Sequence, residues 1–495
     1  MNVHRALRAL LSIPLVAGTL FAPDTAAQGY DTPLTIQGLD HTTSQSAASR
    51  AFGGVAIGFD GDASTMFLHP ANLQSLDRAQ IAFGGVRYTS DARQEQQYAP
   101  LKYYSNFSLL MEGLTGHIPN PDTSLTGVNA GDTVQRPFDT IGPNWSRSER
   151  VTDPLQALAA VPFRVGEMKF AGGIGFVQYA DLHHYYQNNN VLNPSILSER
   201  PYPVPRPPTD SIPVVSRWSQ YSRFRDGSIR GYGGALSAAL SEKLVVGLSG
   251  LILKGSSDDF EQQVSRGNLT FYTNFFKLDS VHGVVTKTGT SDYSGQEFTL
   301  SARYRGEYVS AGFSVRPPTT ITRTFTTSIR VVDGATVSTS TAEGKDKLKF
   351  PWRGGVGLLI NPAKDLLLGL EYEIRAYASA VYTQPDGVQS KPWLSASVFH
   401  IGLQYEAFDW LTVRGGIRGQ AEVFEPEGNF ISGEPVSYSI YSGGVGLTYA
   451  DIRLDVTYEY GQMKYQDVWG SAVSLNTERR HSIVVNVLYN IRWDR

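Results

Sequence analysis

Ile452-Arg453-Leu454-Asp455-Val456-Thr457-Tyr458-Glu459-Tyr460 puts Ile, Leu, Val, Tyr and Tyr at every second position, with Arg, Asp, Thr and Glu between them. Successive side chains of a β-strand point to opposite faces, so this stretch has one apolar and one polar face. The last segment repeats the pattern, with Ile483, Val485, Val487, Tyr489, Ile491 and Trp493 alternating with residues that include Asn486, Asn490 and Arg492. Leu348-Lys349-Phe350-Pro351-Trp352-Arg353 repeats it again, with a local irregularity expected at Pro351, which cannot donate to a ladder. A soluble sandwich buries its apolar faces, whereas a membrane barrel turns them to lipid and keeps a polar lumen. Alternation fits both.

The connections separate the two. Short ones fall near 164–167, 241–243, 305–307, 361–365, 406–409 and 450–451. Long ones fall near 90–155, 183–227, 257–294, 317–346, 384–396, 426–437 and 462–480. Long and short alternate along the chain, which joins about fourteen strands with tight turns at one end and long loops at the other. That is the outer-membrane pattern. The expected fold is all-β: a transmembrane antiparallel β-barrel of about 14 strands over residues 78–495.

Composition agrees. The 495 residues include 49 Gly, 26 Tyr and 23 Phe, suited to turns and aromatic girdles. Lys and Arg number 43 against 46 Asp and Glu, so no basic surface for nucleic acid is expected. The chain has no Cys, which excludes disulfides, thiolate metal sites and thiol nucleophiles. At the N-terminus, Arg5 and Arg8 precede an apolar run from Leu10 to Ala22, and Thr25-Ala26-Ala27 offers a cleavage site before Gln28. This reads as a cleaved signal peptide over 1–27, since a spanning helix needs ~20 apolar residues. Residues 28–77 are too broken by Gly, Pro and small residues for strands, and are the size of a plug or a periplasmic cap. Pro201-Tyr202-Pro203-Val204-Pro205-Arg206-Pro207-Pro208 reads as a stiff extended loop.

Ser49-Arg50-Ala51-Phe52-Gly53-Gly54-Val55-Ala56-Ile57-Gly58 is followed by Asp60-Gly61-Asp62-Ala63-Ser64-Thr65-Met66-Phe67-Leu68-His69-Pro70-Ala71-Asn72-Leu73. This resembles the N-terminal signature of the FadL/TodX long-chain fatty-acid transporter family, in which a Gly-rich stretch and an Asp-Ala-Ser step precede an aromatic residue and Asn-Pro-Ala. His69 stands where that family usually has Asn. Leu348 to Glu373 and His400 to Arg418 are similar to the same family. The resemblance implies a monomer with an N-terminal hatch inside the lumen, its motif carried by Asp62, Phe67, His69, Pro70, Ala71 and Asn72. It also implies passive passage of hydrophobic molecules such as fatty acids, with lateral exit through a kinked strand. The expected location is the outer membrane, and the expected partners are its lipids, hydrophobic small molecules and the barrel-assembly machinery. The chain ends Trp493-Asp494-Arg495 rather than on the usual terminal aromatic. Related barrels of protein secretion share the N-terminal signature, so a structural or secretion-associated barrel that binds a protein partner is the alternative.

Three candidate sites follow. Phe107, Leu110, Met111 and Leu114 recur at helical spacing in the first long loop, giving an amphipathic helix that either captures an alkyl chain or packs against other loops. Gly172, Gly173 and Gly175 in the third strand are candidates for a lateral opening, because glycines mark bulges and bends. The strand alternation directs Arg303, Arg305, Lys347, Lys349, Arg353, Glu371, Glu373, Arg375, Arg414, Arg418, Arg453, Asp455 and Glu459 into the lumen. Unpaired charge there is costly, so an internal ion-pair network is expected rather than a bare polar channel. No cofactor, metal or enzymatic activity is expected. Asp60-Gly61-Asp62 lacks the acidic residue that closes a calcium loop, Ala71 standing there instead. No βαβ unit surrounds Gly53-Gly54, and neither a Gly-x-Ser-x-Gly elbow nor a His-Glu-x-x-His motif is present.

Overall fold

The computed structural model describes residue 39 and residues 46–98, 110–111, 142, 144–193, 208–279, 283–424, 434–469 and 472–491. The signal-peptide region, residues 28–38 of the plug, the Pro-rich stretch up to 207 and the last four residues lie outside these.

Fourteen antiparallel strands follow one another around the wall: β1 Ala79–Tyr98, β2 Trp145–Val165, β3 Met168–Asp181 continued by His184–Asn193, β4 Val214–Ala239 and β5 Leu244–Phe271. Next come β6 Gly283–Arg305, β7 Val309–Arg316 continued by Thr320–Asp333, and β8 Thr336–Lys349 continued by Arg353–Ala363. After these, β9 is Leu366–Arg375 with Val381–Thr383, and β10 is Gln389–Ser390 with Val398–Phe408. The circuit ends with β11 Leu411–Ala421, β12 Ser437–Tyr449, β13 Ile452–Trp469 and β14 Ala472–Ile491. β1 pairs with β14 from Ala79↔Ile491 to Tyr98↔Ala472, which closes the barrel.

The apolar faces point outward. On β5, Leu244, Leu248 and Ile252 are exposed, followed on the same face by exposed Lys254, Ser256 and Asp258. The apolar part is nine residues long, the length that crosses a bilayer core as a tilted strand. Exposed aromatics mark its two borders. Phe163, Tyr304, Tyr308, Phe408, Trp410 and Tyr449 lie beside the short turns; Tyr232, Phe298, Trp352, Phe399 and Tyr441 lie toward the other end. These are the girdles of a membrane barrel.

All six short connections are turns in the structure. Several of the expected long loops are instead paired strand beyond the apolar band. Thr320–Asp333 and Thr336–Lys349 form one hairpin, paired from Thr320↔Lys349 to Asp333↔Thr336. Its turn uses Gly334 at φ +57, a conformation glycine adopts freely. β13 and β14 likewise pair up to Trp469↔Ala472.

β7 to β10 are each interrupted near the upper border of the band, at 317–319, 350–352, 376–380 and 391–397. The break is filled by Phe350, Tyr377 and Trp393, fully buried with ring centroids 5.5 to 5.8 Å apart. Pro351 accounts for one register error in the sequence reading. Across it the face phase slips by one residue, so Leu348 and Phe350 are buried, Trp352 is exposed, and Lys347 and Lys349 point outward rather than into the lumen. The residues packed inside the barrel, among them Met66, Phe67, Leu73, Leu158 and Leu251, form one apolar cluster between the N-terminal segment and the wall.

Candidate functional site

Residues 46–76 lie in the lumen, tied to strands around the circumference. A single helical turn, Ala47–Ala51, is capped by Ser46, whose hydroxyl accepts from Ser49 N at 3.2 Å and donates to Asp62 at 3.1 Å. Asp62 also caps the 3-10 turn Ala63–Thr65, accepting from Ser64 N at 2.8 Å. Pro70 opens the 3-10 turn Pro70–Ser75, where a missing N–H costs nothing. Asn72 organises the segment: its amide donates to Ala56 O at 2.7 Å and Thr65 Oγ1 at 3.0 Å, while its oxygen accepts from Gly58 N at 3.2 Å and His69 Nδ1 at 2.9 Å. Phe67 is buried in the apolar cluster, and Ala71 N donates to Ser301 of β6 at 2.9 Å. His69, in the place of the family's usual Asn, is fully buried, and burial pulls its imidazole down to about 4.

The wall holds this segment with charge and with space. Thr457 of β13 donates to Ala47 O at 2.6 Å, His400 Nδ1 of β10 to Gly53 O at 3.0 Å, and Ala56 N and Ile57 N to Glu371 of β9 at 2.8 and 3.0 Å. Arg303 of β6 clasps Asp60 at 2.5 and 2.7 Å. Inward-facing Gly247, Gly402 and Gly416 let the backbone come close: a Cβ on them would collide with Ala71 N, Phe52 O and Gly53 N.

The other inward charges are placed as follows. Arg353 pairs with Glu297 at 2.5 Å, Arg375 with Glu373 at 2.7 Å, and Arg414 and Arg453 with Asp455 at 2.8 and 2.9 Å. Glu459 takes both Arg418 and, at 3.2 Å, Arg50 of the luminal segment. Arg305 also reaches Asp60, at 3.2 Å, but at the open rim of the short-turn end.

On the loop side of the luminal segment lies a cavity of about 130 Å³, floored by Arg50 and Leu68. Arg316, Arg375, Arg418 and Arg480 line it together with Asp181, Glu373 and Glu459. Positive groups outnumber negative ones. Among the described residues Arg316 makes one ion-pair contact, at 3.7 Å to Glu297, which Arg353 already holds. His400 Nε2 is buried there without a hydrogen-bond partner. Gln178 and Asp181 of β3 complete the lining and bring it to the wall.

At that point the wall changes character. The β2–β3 ladder ends at Gln156↔Val177, while β2 continues against β1 to Trp145 and β3 continues against β4 to Asn193. Above Gln156 the two strands meet through side chains: Gln178 donates to Asp153 at 3.1 Å, and Trp145 packs edge-on to Tyr185 at 5.6 Å, with Arg147 over the same Tyr185 ring. Gly172, Gly173 and Gly175, expected at a lateral opening, lie below this seam in continuous pairing with both neighbours. Gly173 and Gly175 relieve crowding instead, since a Cβ on the first would sit 2.7 Å from Met66 Sδ and one on the second would collide with Ala157 O. The third strand is irregular, as expected, but at the shift between Gln178 and Ala180 and the break at 182–183 rather than at its glycines.

Of the expected capture helix, Leu110 and Met111 are helical and buried, while Phe107 and Leu114 lie outside the described residues. Sequence reasoning missed Glu297, Arg316, His400, Tyr88, Asp181 and Arg480. Inward positions above the apolar band carry polar residues on both faces, so alternation gives no contrast there. Extending the register of β14 upward from Asn486 through Ser482 to Arg480 would have found that residue.

No protein-family model matches the chain, and no curated protein sequence does. Solved structures do. A Pseudomonas aeruginosa FadL homologue superposes with TM-score 0.55 at 12% identity, over 91% of this chain and 99% of that one. The P. putida toluene transporter TodX gives 0.54 at 12% identity, covering 92% and 100%. The monoaromatic hydrocarbon channel CymD gives 0.51 at 12% identity, covering 92% and 99%. At such identities the shared property is the fold, a fourteen-stranded barrel of the FadL type.

Proposed function

We propose that this chain is an outer-membrane channel through which hydrophobic molecules, long-chain fatty acids among them, diffuse passively, with the luminal segment as its hatch and, as its exit, the foot of the β2–β3 seam, which opens level with the upper aromatic girdle at Tyr232. The observation that carries this is the seam itself, a vertical stretch of wall without backbone pairing that borders the luminal cavity through Gln178 and Asp181. A barrel wall held by hydrogen-bonded ladders opens only at the cost of several buried polar groups, whereas side-chain contacts part cheaply. The cavity floor is the luminal segment, so a straight path to the short-turn end is closed and a sideways one is favoured. The likeness to hydrophobic-compound transporters supports the same reading. Export by a cleaved signal peptide, residence in the outer membrane as a monomer and delivery by the assembly machinery belong to this proposal.

The test is uptake of a labelled fatty acid into liposomes carrying the folded chain. Cysteines replacing Trp145 and Tyr185, joined by a short reducible bis-thiol reagent, should lower uptake several-fold, and reduction should restore it. Because the chain has no native Cys, the link is unambiguous. Undiminished uptake with the link formed would remove the seam as the exit, and no uptake by the folded unmodified barrel would remove transport. The second reading, a barrel that binds a protein partner, draws on the ion pairs that crowd the lumen; it predicts no uptake with the link open or closed.

A further inference from the structure

Where β3 breaks, His183 stands among three carboxylates from three strands. Its Nε2 lies 2.7 Å from Asp226 of β4, its Nδ1 2.6 Å from Asp181 Oδ1 of β3 and 4.0 Å from Asp153 Oδ2 of β2. Each ring nitrogen faces a carboxylate oxygen at hydrogen-bond distance, so the ring donates through Nε2 to Asp226, through Nδ1 to Asp181, or through both. With the single proton of a neutral ring on Nε2, Nδ1 offers a lone pair toward the other two carboxylates. Nδ1, Asp181 and Asp153 offer one ligand atom each within 4.8 Å of one another, and a cation at that point replaces the ring proton that otherwise bridges Nδ1 and Asp181.

The surroundings hold those atoms in place. Asp181 Oδ2 is engaged by Tyr88 OH at 2.8 Å and Arg480 at 2.7 Å, which leaves Oδ1 turned to His183. Gln178 steadies Asp153. A ring nitrogen bonded to an outer carboxylate, with the other nitrogen aimed at a cluster of oxygens, is how proteins orient a metal-binding histidine. The geometry points to a divalent transition-metal site, zinc or a cation of like preference, formed by His183 Nδ1, Asp181 and Asp153, with Asp226 orienting the imidazole. Metal bonds of about 2.0–2.2 Å place tetrahedral ligands roughly 3.3–3.6 Å apart, so the 2.6 Å contact widens and the 4.0 Å one closes, each by less than about 1 Å.

The group carries an excess of negative charge. Three aspartates face Arg480 and one imidazole, and Tyr88 stays a neutral donor. The site therefore draws in a cation. A proton satisfies part of that demand and competes with the metal. Bound metal joins β2 to β3 across the stretch that has no ladder, so it acts as a clasp on the seam. That consequence, unlike the site, rests on the seam being the exit.

Binding is measured on the tag-free, folded full-length barrel in detergent, with Zn²⁺ by titration calorimetry and Co²⁺ by its visible absorption. The site predicts one saturable equivalent, tighter at pH 7.5 than at pH 6. Binding should be lost in H183Q, weakened about tenfold or more in D226N, and unchanged in H184Q. Retained heat-modifiable gel mobility shows that each variant is folded. The proposal is overturned by the absence of saturable binding to the folded barrel, or by one equivalent that persists in H183Q; either result leaves the proton as the cation that balances the cluster. If metal binds as stated but does not slow uptake into liposomes, the site stands and the exit must be sought elsewhere.

Discussion

Burial sets the chemistry of His69. One ring nitrogen donates to Asn72 and the other is enclosed without a partner beside Gly312. With its folded value near 4 and an unfolded value near 6.5, the docked ring refuses a proton that the released segment accepts. Its stability contribution is therefore complete above about pH 6.5 and falls as pH drops toward 4, by about 3 kcal/mol in all. Hydrogen exchange of residues 46–76, corrected for intrinsic rates, should rise at least tenfold between pH 7.5 and 4.5, and H69N should flatten that rise. Glu459 offers a second handle. It balances both Arg418 of the wall and Arg50 of the luminal segment, so E459Q removes the carboxylate that ties the segment to the wall at this point. Protease cleavage within 46–76 should increase several-fold in that variant while the barrel keeps its gel mobility. Residue by residue, inward charges within the apolar band were legible, because lipid enforces strict alternation there. Lys347 and Lys349 were misplaced because Pro351 removes one ladder donor and lets the strand change face.

At the scale of elements, membrane strands and short turns could be read from sequence, and the tall hairpins could not. From Thr326 to Asp333 both faces of the strand are exposed or half-buried, so the Thr, Ser, Arg and Val residues there show no period of two. Their β propensity remains, and it suffices once the strands below have set the register. The β7–β8 hairpin lies beyond the bilayer and closes on itself. Deleting 324–332 and 337–345, which keeps the Asp333–Thr336 turn and the Arg323–Asp346 pair, should leave membrane assembly intact. Unchanged yield and heat-modifiability would bear this out; failure to assemble would give the hairpin a part in folding. The β2–β3 seam was equally hidden, since a missing ladder leaves no mark on composition.

At the scale of the molecule, strand number and closure followed from the alternation of connection lengths, whereas the fit between lumen and N-terminal segment did not. That fit depends on glycines such as Gly247 and Gly416 meeting the backbone of Ala71 and Gly53, 176 and 363 residues away in the chain. Removing residues 46–76 should leave a folded barrel whose lumen is open to water. In planar bilayers it should give steady ionic conductance where the full chain gives none, and a silent deletion variant would mean that the wall alone closes the lumen.

The strands are also unequal in height. β4 and β5 have 26 and 28 residues, while β11 has 11. At about 3.3 Å per residue and a tilt near 40°, the tallest wall rises roughly 70 Å, against an apolar band of about 25 Å. One flank thus stands like a chimney above the lipid, and the opposite flank is a low sill. A greasy solute arriving over the sill would travel the remaining depth along protein, sheltered from the hydrated sugars and headgroups that otherwise repel it.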